Sequence, residues 1–143
     1  MKKYTKLSEQ DISYFNPIYG DRMILDREQM AEYAHDETED FIFFPAVVLK
    51  PINTDEISKT VKYCNEKGIP VTPSGARTGL SGGSLPVFGG VLLSTEKLNR
   101  IIEIDEKNHQ VITEPGVITQ VLQDHVKEKG LFYPPDPASR GSC

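Results

Sequence analysis

Short apolar runs alternate with segments of helical periodicity over most of this chain. The run at 44–49 is almost entirely apolar, as is typical of a strand that is covered on both faces. Asn53 can then cap a helix, with Glu56 in the capping-box position three residues later, and Gly68 can end it. Further strands are predicted at 69–73 and 91–94. The alternation predicts a mixed α and β class.

The second half of the chain continues this pattern. Residues 100–105 and 110–113 predict a β-hairpin, because a short polar turn joins two strand-like runs. A helix follows and is predicted to end at Gly130, after which Leu131 and Phe132 indicate another apolar strand. The two longer helices are expected to bury one face each: Ile57, Val61 and Cys64 share that face in the first, and Val121, Leu122, His125 and Val126 lie on or near it in the second, with His125 expected at the surface or the edge of the core.

The first forty-odd residues have a different character, and we interpret 1–42 as a helical lead-in. Ser8 can cap a short helix that Pro17 ends, and Asp26 can cap a second helix that runs through Tyr33. The acidic run at 36–40 predicts a solvated connector, with a cation or partner site as the alternative.

Composition narrows the class of protein. The 143 residues carry 16 Lys and Arg against 21 Asp and Glu, and this net charge of −5 disfavours a nucleic-acid partner. No stretch is apolar enough to predict a transmembrane segment, and the polar residues after the amino terminus lack a signal-peptide core. With two cysteines there is no disulfide framework, and Cys64 is expected to be a buried, inert thiol. We therefore expect a cytoplasmic protein.

One segment, 73–84, stands apart because it holds four glycines, three serines, a threonine and Arg77 directly after a predicted strand. Successive backbone N–H groups in such a loop can form a concave anion site, and Arg77 can add a charge-assisted hydrogen bond. The segment lacks both the P-loop lysine and the G-x-G-x-x-G spacing, which disfavours an ATP or NAD site. From the residues alone, a flexible surface loop is as good an interpretation as an anion-binding loop.

A second segment, 133–142, contains three prolines within four positions, followed by small residues. Because proline fixes its own φ and restricts the residue before it, this segment predicts an extended wall and a tight turn that suit a flat ligand. A simple proline-rich linker explains the same residues. Since Cys143 follows Arg140-Gly141-Ser142 directly, with no capping helix or polar tail, we expect the chain to be a piece of a longer protein.

Together, these motifs resemble a known family. The glycine-rich segment, the Glu114-Pro115-Gly116-Val117 turn, the prolines at 134–137 and the Gly141-Ser142-Cys143 end resemble the FAD-binding domain of the vanillyl-alcohol oxidase/p-cresol methylhydroxylase (PCMH) flavoproteins. Within it, the chain is most similar to the glycolate oxidase and D-lactate dehydrogenase branch. The resemblance runs from about Ala46 to Cys143. It implies an α+β, PCMH-type FAD-binding domain, here incomplete, with β-α-β units, a mixed sheet and flanking helices, over 43–143.

The resemblance also implies which residues bind FAD. The glycine-rich loop is expected to hold the pyrophosphate, and the residues it implies are Ser74, Gly75, Ala76, Arg77, Thr78, Gly79, Leu80, Gly82 and Gly83. The proline-rich turn is expected to line the flavin through Pro135, Asp136, Ser139, Gly141 and Ser142. The turn at Glu114 is expected to be structural. Because the loop has no histidine, FAD is expected to bind non-covalently.

The function that the resemblance implies is oxidation of a 2-hydroxy acid, of glycolate or D-lactate type, to the 2-oxo acid by hydride transfer to flavin. The partners are then the small hydroxy acid and an electron acceptor or redox partner protein. No residue of 1–143 is expected to be catalytic or to bind a metal. The alternative is a non-catalytic FAD- or nucleotide-binding or assembly module that retains the fold.

Overall fold

A computed structural model of the chain describes residues 4–38 and 40–143. A four-stranded mixed sheet, a separate two-stranded hairpin and flanking helices make up the described part. The strands are β1 (Met23–Ile24), β2 (Val47–Leu49), β3 (Val71–Ser74), β4 (Val91–Ser94), β5 (Ile101–Asp105) and β6 (Gln110–Thr113). The α-helices are α1 (Glu9–Tyr19), α2 (Arg27–Met30), α3 (Thr54–Lys67) and α4 (Thr119–Glu128), and 3₁₀ turns cover Gly20–Arg22 and Ala31–Tyr33.

The strand order in the main sheet is β1-β2-β4-β3. Strands β2 and β3 both pair with β4 in parallel, and β1 pairs with β2 in the antiparallel sense. The helix α3 connects β2 to β3, and β4 then inserts between them, so the unit is a β-α-β crossover with a third strand at its centre. Strands β5 and β6 form the predicted hairpin. This arrangement confirms the expected α+β fold with a mixed sheet and flanking helices.

The central strands β2 and β4 are apolar because both of their faces are covered. On one face, alternate strand residues pack with α1 and α3 in a core of Phe15, Tyr19, Val47, Leu49, Cys64, Ile69, Val91 and Leu93. On the other face, Val48 and Leu92 pack against the lead-in residues Ile24, Met30 and Tyr33. The lead-in, with Phe44, therefore covers the central strands on this side of the sheet.

The prediction that Pro17 ends the first helix is wrong. The helix continues to Tyr19, which is buried, and the Gly20 N–H bonds back to the Asn16 carbonyl. Proline within a helix forfeits one backbone hydrogen bond, and near the end of this helix the packing of Tyr19 outweighs that loss. The predicted Ser8 cap is present and forms a complete capping box with Asp11.

The capping box expected at Asn53 is only half formed. The Asn53 side chain accepts the N–H of Glu56, as predicted. The Glu56 carboxylate does not bond back to Asn53; it accepts the Ile52 N–H and pairs with the Arg22 guanidinium at 2.6 Å. The Glu56 carboxylate therefore forms the stronger, charge-assisted pair with Arg22 instead of the capping-box bond to the Asn53 N–H.

Several predicted buried positions are exposed. In α3, Thr60 and Cys64 are buried while Val61 faces solvent, and in α4 Leu122 and Val126 are buried while Val121 and His125 are exposed. The buried positions lie four residues apart in each helix, so the buried stripe is narrower than predicted. Residues 131–132 form no strand, and Phe132 is one of the most exposed side chains, because no described strand lies beside it to pair with.

The acidic run at 36–40 is only partly the solvated connector that was predicted. Glu37 and Asp40 are exposed, but Asp36 is buried, and Glu39 lies outside the described residues, as do residues 1–3 of the lead-in. Cys64, in contrast, is fully buried as expected, and burial raises the pKa of its thiol to about 11. Its reactive thiolate form is therefore disfavoured at neutral pH.

The turn before β4 gives a sharp test of packing. Gly90 and Gly89 both have φ near +70°, but a Cβ on Gly90 would collide with the carbonyl oxygen of Pro70 and lie 2.6 Å from its Cγ. A Cβ on Gly89 meets nothing within 4 Å. We expect Gly89→Ala to cost about 1 kcal/mol of unfolding free energy through backbone strain alone. Gly90→Ala should cost roughly 2 kcal/mol more, because β3 and β4 must separate.

The measurement for this pair is the urea unfolding midpoint of the full-length protein that contains this chain, with Gly89→Ala as the matched control. Equal losses of stability in the two variants would contradict the close approach of Gly90 to Pro70.

Candidate functional site

Three parallel strands end at the same level of the sheet. In the register, Leu49 of β2 and Pro73 of β3 both lie opposite Leu93 of β4. The next residues, Lys50, Ser74 and Ser94, are all polar. Ligands of open α/β sheets bind at the carboxyl ends of such strands, where the chain leaves the sheet and backbone groups become available. This edge is therefore where a site is expected on physical grounds.

A cavity of about 530 Å³ lies beside this edge. One side is the first half of the glycine-rich loop, the second is the segment after β4, and the third is the turn that leads into α4. The residues that line it are Gly75, Ala76, Arg77, Thr78, Thr95, Glu96, Asn99, Pro115, Gly116, Val117, Ile118, Val121, Ser142 and Cys143. The structure thus brings together both segments that the sequence singled out.

Four groups of lining residues were missed by sequence reasoning: Thr95 with Glu96, Asn99, 115–118, and Val121. A signal for Thr95 and Glu96 was present, since they directly follow an apolar parallel strand, as the glycine-rich loop does. The turn at 115–118 was expected to be only structural. Gly116 does have a structural role, because a Cβ there would collide with the Thr95 carbonyl oxygen, but its neighbours face the cavity.

Glu96 is the centre of a polar network at the cavity wall. Its carboxylate pairs with Lys50 Nζ at 2.8 Å and accepts hydrogen bonds from the Tyr33 hydroxyl at 2.9 Å and the Ser94 hydroxyl at 3.1 Å. Burial raises the pKa of Glu96, but the hydrogen bonds from Lys50 and Tyr33 outweigh burial and hold that pKa below its usual value. The ionised carboxylate is therefore matched by a neighbouring cation.

Arg77 is the cationic residue of the loop that lines the cavity. Its guanidinium lies over the ring of Tyr33, with Cζ 4.6 Å from the ring centroid, and none of the ion pairs among residues 4–38 and 40–143 involves it. Because Lys50 already neutralises Glu96, the charge of Arg77 leaves a positive excess at this wall. Such an excess favours an anionic ligand.

Ser74, the last residue of β3, carries an unpaired polar atom. Its side chain is buried and its Oγ has no hydrogen-bond partner among the described residues, although its carbonyl oxygen accepts the Thr95 N–H. An unsatisfied buried hydroxyl costs free energy, and most have a partner. The orphaned hydroxyl therefore stands at the entrance of the glycine-rich loop with capacity for one more bond.

The second half of the loop lies away from this cavity. Gly79, Leu80 and Gly83 are exposed and do not line it. The N–H of Gly82 donates to the Thr38 hydroxyl oxygen at 2.7 Å, so it is engaged within the chain. Among the predicted pyrophosphate residues, the structure places Gly75, Ala76, Arg77 and Thr78 at the cavity, while Ser74 is buried and does not line it.

The residues predicted to line the flavin, within 135–142, also fall partly at the main cavity and partly outside it. Ser142 lines the main cavity, while Asp136 lines a separate cavity of about 330 Å³ and pairs with Arg140 at 2.9 Å. The Pro135 carbonyl accepts a hydrogen bond from Gln123, and the Ser139 hydroxyl lies 3.0 Å from the Cys143 sulfur. Gly141 is exposed and lines neither of these cavities.

This end segment also covers the start of α4. The N–H groups of Thr119 and Gln120 donate to the carbonyl oxygens of Cys143 and Arg140. Two N–H groups of the first turn of α4 are therefore satisfied within the chain, which leaves the glycine-rich loop as the main source of donors for an anion at this site. Within residues 4–38 and 40–143, no cluster of His, Cys, Asp or Glu is suited to a metal, and no helix is long and apolar enough to cross a membrane.

Comparison with known proteins identifies the class. A solved structure of p-cresol methylhydroxylase with substrate bound superposes with a TM-score of 0.75 and 25% identity, over 87% of this chain and 26% of that one. The fold is thus that of PCMH-type FAD-binding proteins. The family model described as FAD binding domain matches residues 45–143, and the chain belongs to that family.

Curated relatives agree with this assignment. The chain is 38% identical to D-lactate dehydrogenase of Anaerostipes hadrus over 139 residues, 96% of this chain and 29% of the relative. It is 45% identical to glycolate oxidase subunit GlcD of Bacillus subtilis (strain 168) over 107 residues, 75% of this chain and 23% of the relative. The chain therefore spans less than a third of these two relatives.

The residues at the cavity fit the diphosphate of FAD, the cofactor of this family. Gly75 presents open space where a side chain would stand, and Arg77 supplies positive charge. The buried hydroxyl of Ser74, directly before these lining residues in the chain, is unpaired among the described residues. Backbone N–H groups, a hydroxyl and a guanidinium are the donors that a diphosphate requires.

The network at Glu96 gives a pH-dependent prediction. Because its pKa is lowered in the folded state, its contribution to stability is present above the unfolded pKa of about 4.3 and is lost as the pH falls through the lower folded value. We expect the difference in urea midpoint between the full-length protein and its Glu96→Gln variant to narrow as the pH falls from about 7 to below about 4.

Glu103→Gln on the exposed hairpin is the control for removing a negative charge from this chain. If the difference in urea midpoint between the wild type and Glu96→Gln stayed constant over the whole pH range, the ionised Glu96 carboxylate would not contribute to the stability of the folded state.

Proposed function

We propose that the full-length protein containing this chain is an FAD-dependent oxidoreductase that oxidises a 2-hydroxy acid of glycolate or D-lactate type to the 2-oxo acid, with hydride transfer to flavin. The observation that carries the proposal is the cavity formed by the glycine-rich loop at the carboxyl ends of the parallel strands. The names of the relatives, D-lactate dehydrogenase and glycolate oxidase subunit GlcD, support the hydroxy acid.

Bound FAD supplies the two-electron redox chemistry, and the residues of this chain bind and orient it. We propose that Gly75, Ala76, Arg77 and Thr78 hold the diphosphate, with the Ser74 hydroxyl as an additional donor, and that Ser142 approaches the cofactor from the opposite side. These assignments are supported by the positions of the five lining residues at one cavity and by the unpaired Ser74 Oγ.

The remaining predicted contacts lie outside the main cavity and are proposed as outer contacts to the cofactor: Gly79, Leu80, Gly82, Gly83, Pro135, Asp136, Ser139 and Gly141. FAD is proposed to bind non-covalently, because the loop has no histidine. We assign 1–42 to a supporting lead-in and 43–143 to the cofactor domain, a division that the family match at 45–143 supports. We also propose that an external electron acceptor or a redox partner protein reoxidises the flavin, and that the protein is cytoplasmic.

Gly75→Val tests the diphosphate site directly. Gly75 has ordinary φ and open space around it, so a valine should be tolerated by the fold but should occupy the cradle that the ligand enters. We expect the full-length variant to be purified folded and to retain less than about a tenth of the wild-type flavin, a loss of roughly 1.4 kcal/mol or more in binding.

The matched control is Ser81→Val, which places the same side chain at an exposed position of the same loop outside the cavity. Flavin content is read from absorbance, with folding checked by circular dichroism. Wild-type flavin content in Gly75→Val would remove this part of the loop from the cofactor site.

The substrate class is tested separately. The full-length, FAD-loaded protein should reduce an artificial electron acceptor with glycolate or with D-lactate, and the matching compounds that lack the 2-hydroxyl, acetate and propionate, should give no reduction because no C2–O–H group can be oxidised. Tight FAD binding with no turnover of any 2-hydroxy acid would instead favour the non-catalytic binding or assembly module.

A further inference from the structure

We propose that two residues of the lead-in, Tyr33 and Thr38, are positioning residues that hold the glycine-rich loop in its ligand-ready shape before FAD binds. Tyr33 acts by stacking on Arg77, and Thr38 acts by accepting the N–H of Gly82. The inference rests on the proposed FAD site, but neither residue lines the cavity, so each acts through the loop.

The ring of Tyr33 is a rigid platform. The side chain is only 3% exposed and packs in the core with Met30, Val48 and Leu92, while its hydroxyl donates to Glu96 at 2.9 Å. Core packing fixes the plane of the ring and the hydrogen bond fixes the position of its polar end. A platform held at both ends can orient a group that rests on it.

The backbone of Arg77 is in an unfavourable conformation, so a contact that holds its side chain in place is needed to stabilise it. Its φ is +60°, in the left-handed region that favours glycine and costs a side-chain-bearing residue roughly 1–2 kcal/mol. Alternation of right- and left-handed residues is what turns successive N–H groups toward one anion. The guanidinium over the Tyr33 ring, 4.6 Å from the centroid, provides a compensating attraction that a glycine at this position would lack.

The charges around the ring reinforce this contact. Tyr33 donates its hydroxyl proton toward a carboxylate, which enriches the ring in electron density and strengthens its attraction for a cation. Lys50 lies 5.3 Å from the same ring but is paired with Glu96, so its charge is balanced there.

Thr38 is the second anchor, at the far end of the loop. Its hydroxyl oxygen accepts the Gly82 N–H at 2.7 Å, and its own N–H donates to Asp36 at 2.9 Å. Asp36 also accepts the hydroxyl of Ser84 at 3.3 Å. The lead-in therefore holds the loop at Arg77 and again at Gly82, while the residues between them are largely exposed.

The first experiment uses the FAD-free full-length protein and trypsin, which cleaves after Arg77. Loss of the Tyr33 platform in Tyr33→Leu, or of the Thr38 acceptor in Thr38→Val, should raise the rate of cleavage at the Arg77–Thr78 bond by about three- to tenfold. Cleavage after Lys107, in the exposed hairpin turn, should not change, because the hydrogen bonds and the ion pair of that turn are made with Asp105 and Lys129 and not with Tyr33, Thr38 or Arg77. Fragments are assigned by mass spectrometry.

Conservative variants separate positioning from general destabilisation. Tyr33→Phe keeps the ring under Arg77 but loses the bond to Glu96, so its rise in cleavage at Arg77 should be clearly smaller than that of Tyr33→Leu. Thr38→Ser keeps the hydroxyl acceptor and should show near wild-type cleavage at Arg77. If Tyr33→Leu does not fold, the Thr38→Val and Thr38→Ser pair tests the proposal at a position that is only half-buried. A rise in cleavage at both Arg77 and Lys107 would indicate global loosening and overturn the positioning role.

The second experiment is a double-mutant cycle on the FAD dissociation constant. Tyr33→Leu should weaken binding about three- to tenfold in the wild-type background and should have no further effect in an Arg77→Ala background, because the platform then has nothing to hold. Equal weakening in both backgrounds, or none in either, would overturn the proposal. Failure of the wild-type protein to bind FAD would refute the proposed function, while the trypsin result would still decide the positioning role.

Discussion

The shared level at which three parallel strands end is the constraint on which the rest of the site depends. Register places Leu49, Pro73 and Leu93 side by side, and β2 ends at this level while β3 and β4 end one residue later, so the three chains leave the sheet close together. Because β2 and β4 are covered on both faces, they cannot shift along one another without exposing the apolar residues of two cores. The hydrophobic effect that fixes the register therefore also fixes where the glycine-rich loop begins.

The lead-in connects this constraint to the loop. It covers one face of the sheet through Ile24, Met30 and Tyr33, and the same Tyr33 reaches the polar network at the end of β4. Tyr33 therefore contributes to the apolar core, to the polar network at Glu96 and, through Arg77, to the shape of the glycine-rich loop. Because Lys50 and Glu96 neutralise each other, the charge of Arg77 leaves this edge with a positive excess, which favours a diphosphate.

The sequence was sufficient for the class, the hairpin, the strands of the main sheet after the lead-in and the location of the glycine-rich loop, because these depend on local runs and on backbone freedom. It did not predict that α1 would pass Pro17, because buried Tyr19 contributes through tertiary contacts that no local pattern contains. The contribution of Glu96 was missed for a related reason. Its position after an apolar strand marks it as a candidate, but its pairing with Lys50 and Tyr33 depends on the register of the sheet, which no local pattern contains.

The most direct test of the account is an experimental structure of the FAD-bound full-length protein, in which the distance between the diphosphate oxygens and the backbone nitrogens of 75–78 is measured. The account predicts several of these N···O distances within the hydrogen-bond range of about 2.7–3.2 Å, with the Ser74 hydroxyl no longer unpaired. A diphosphate bound elsewhere, with the loop unchanged and unoccupied, would contradict it.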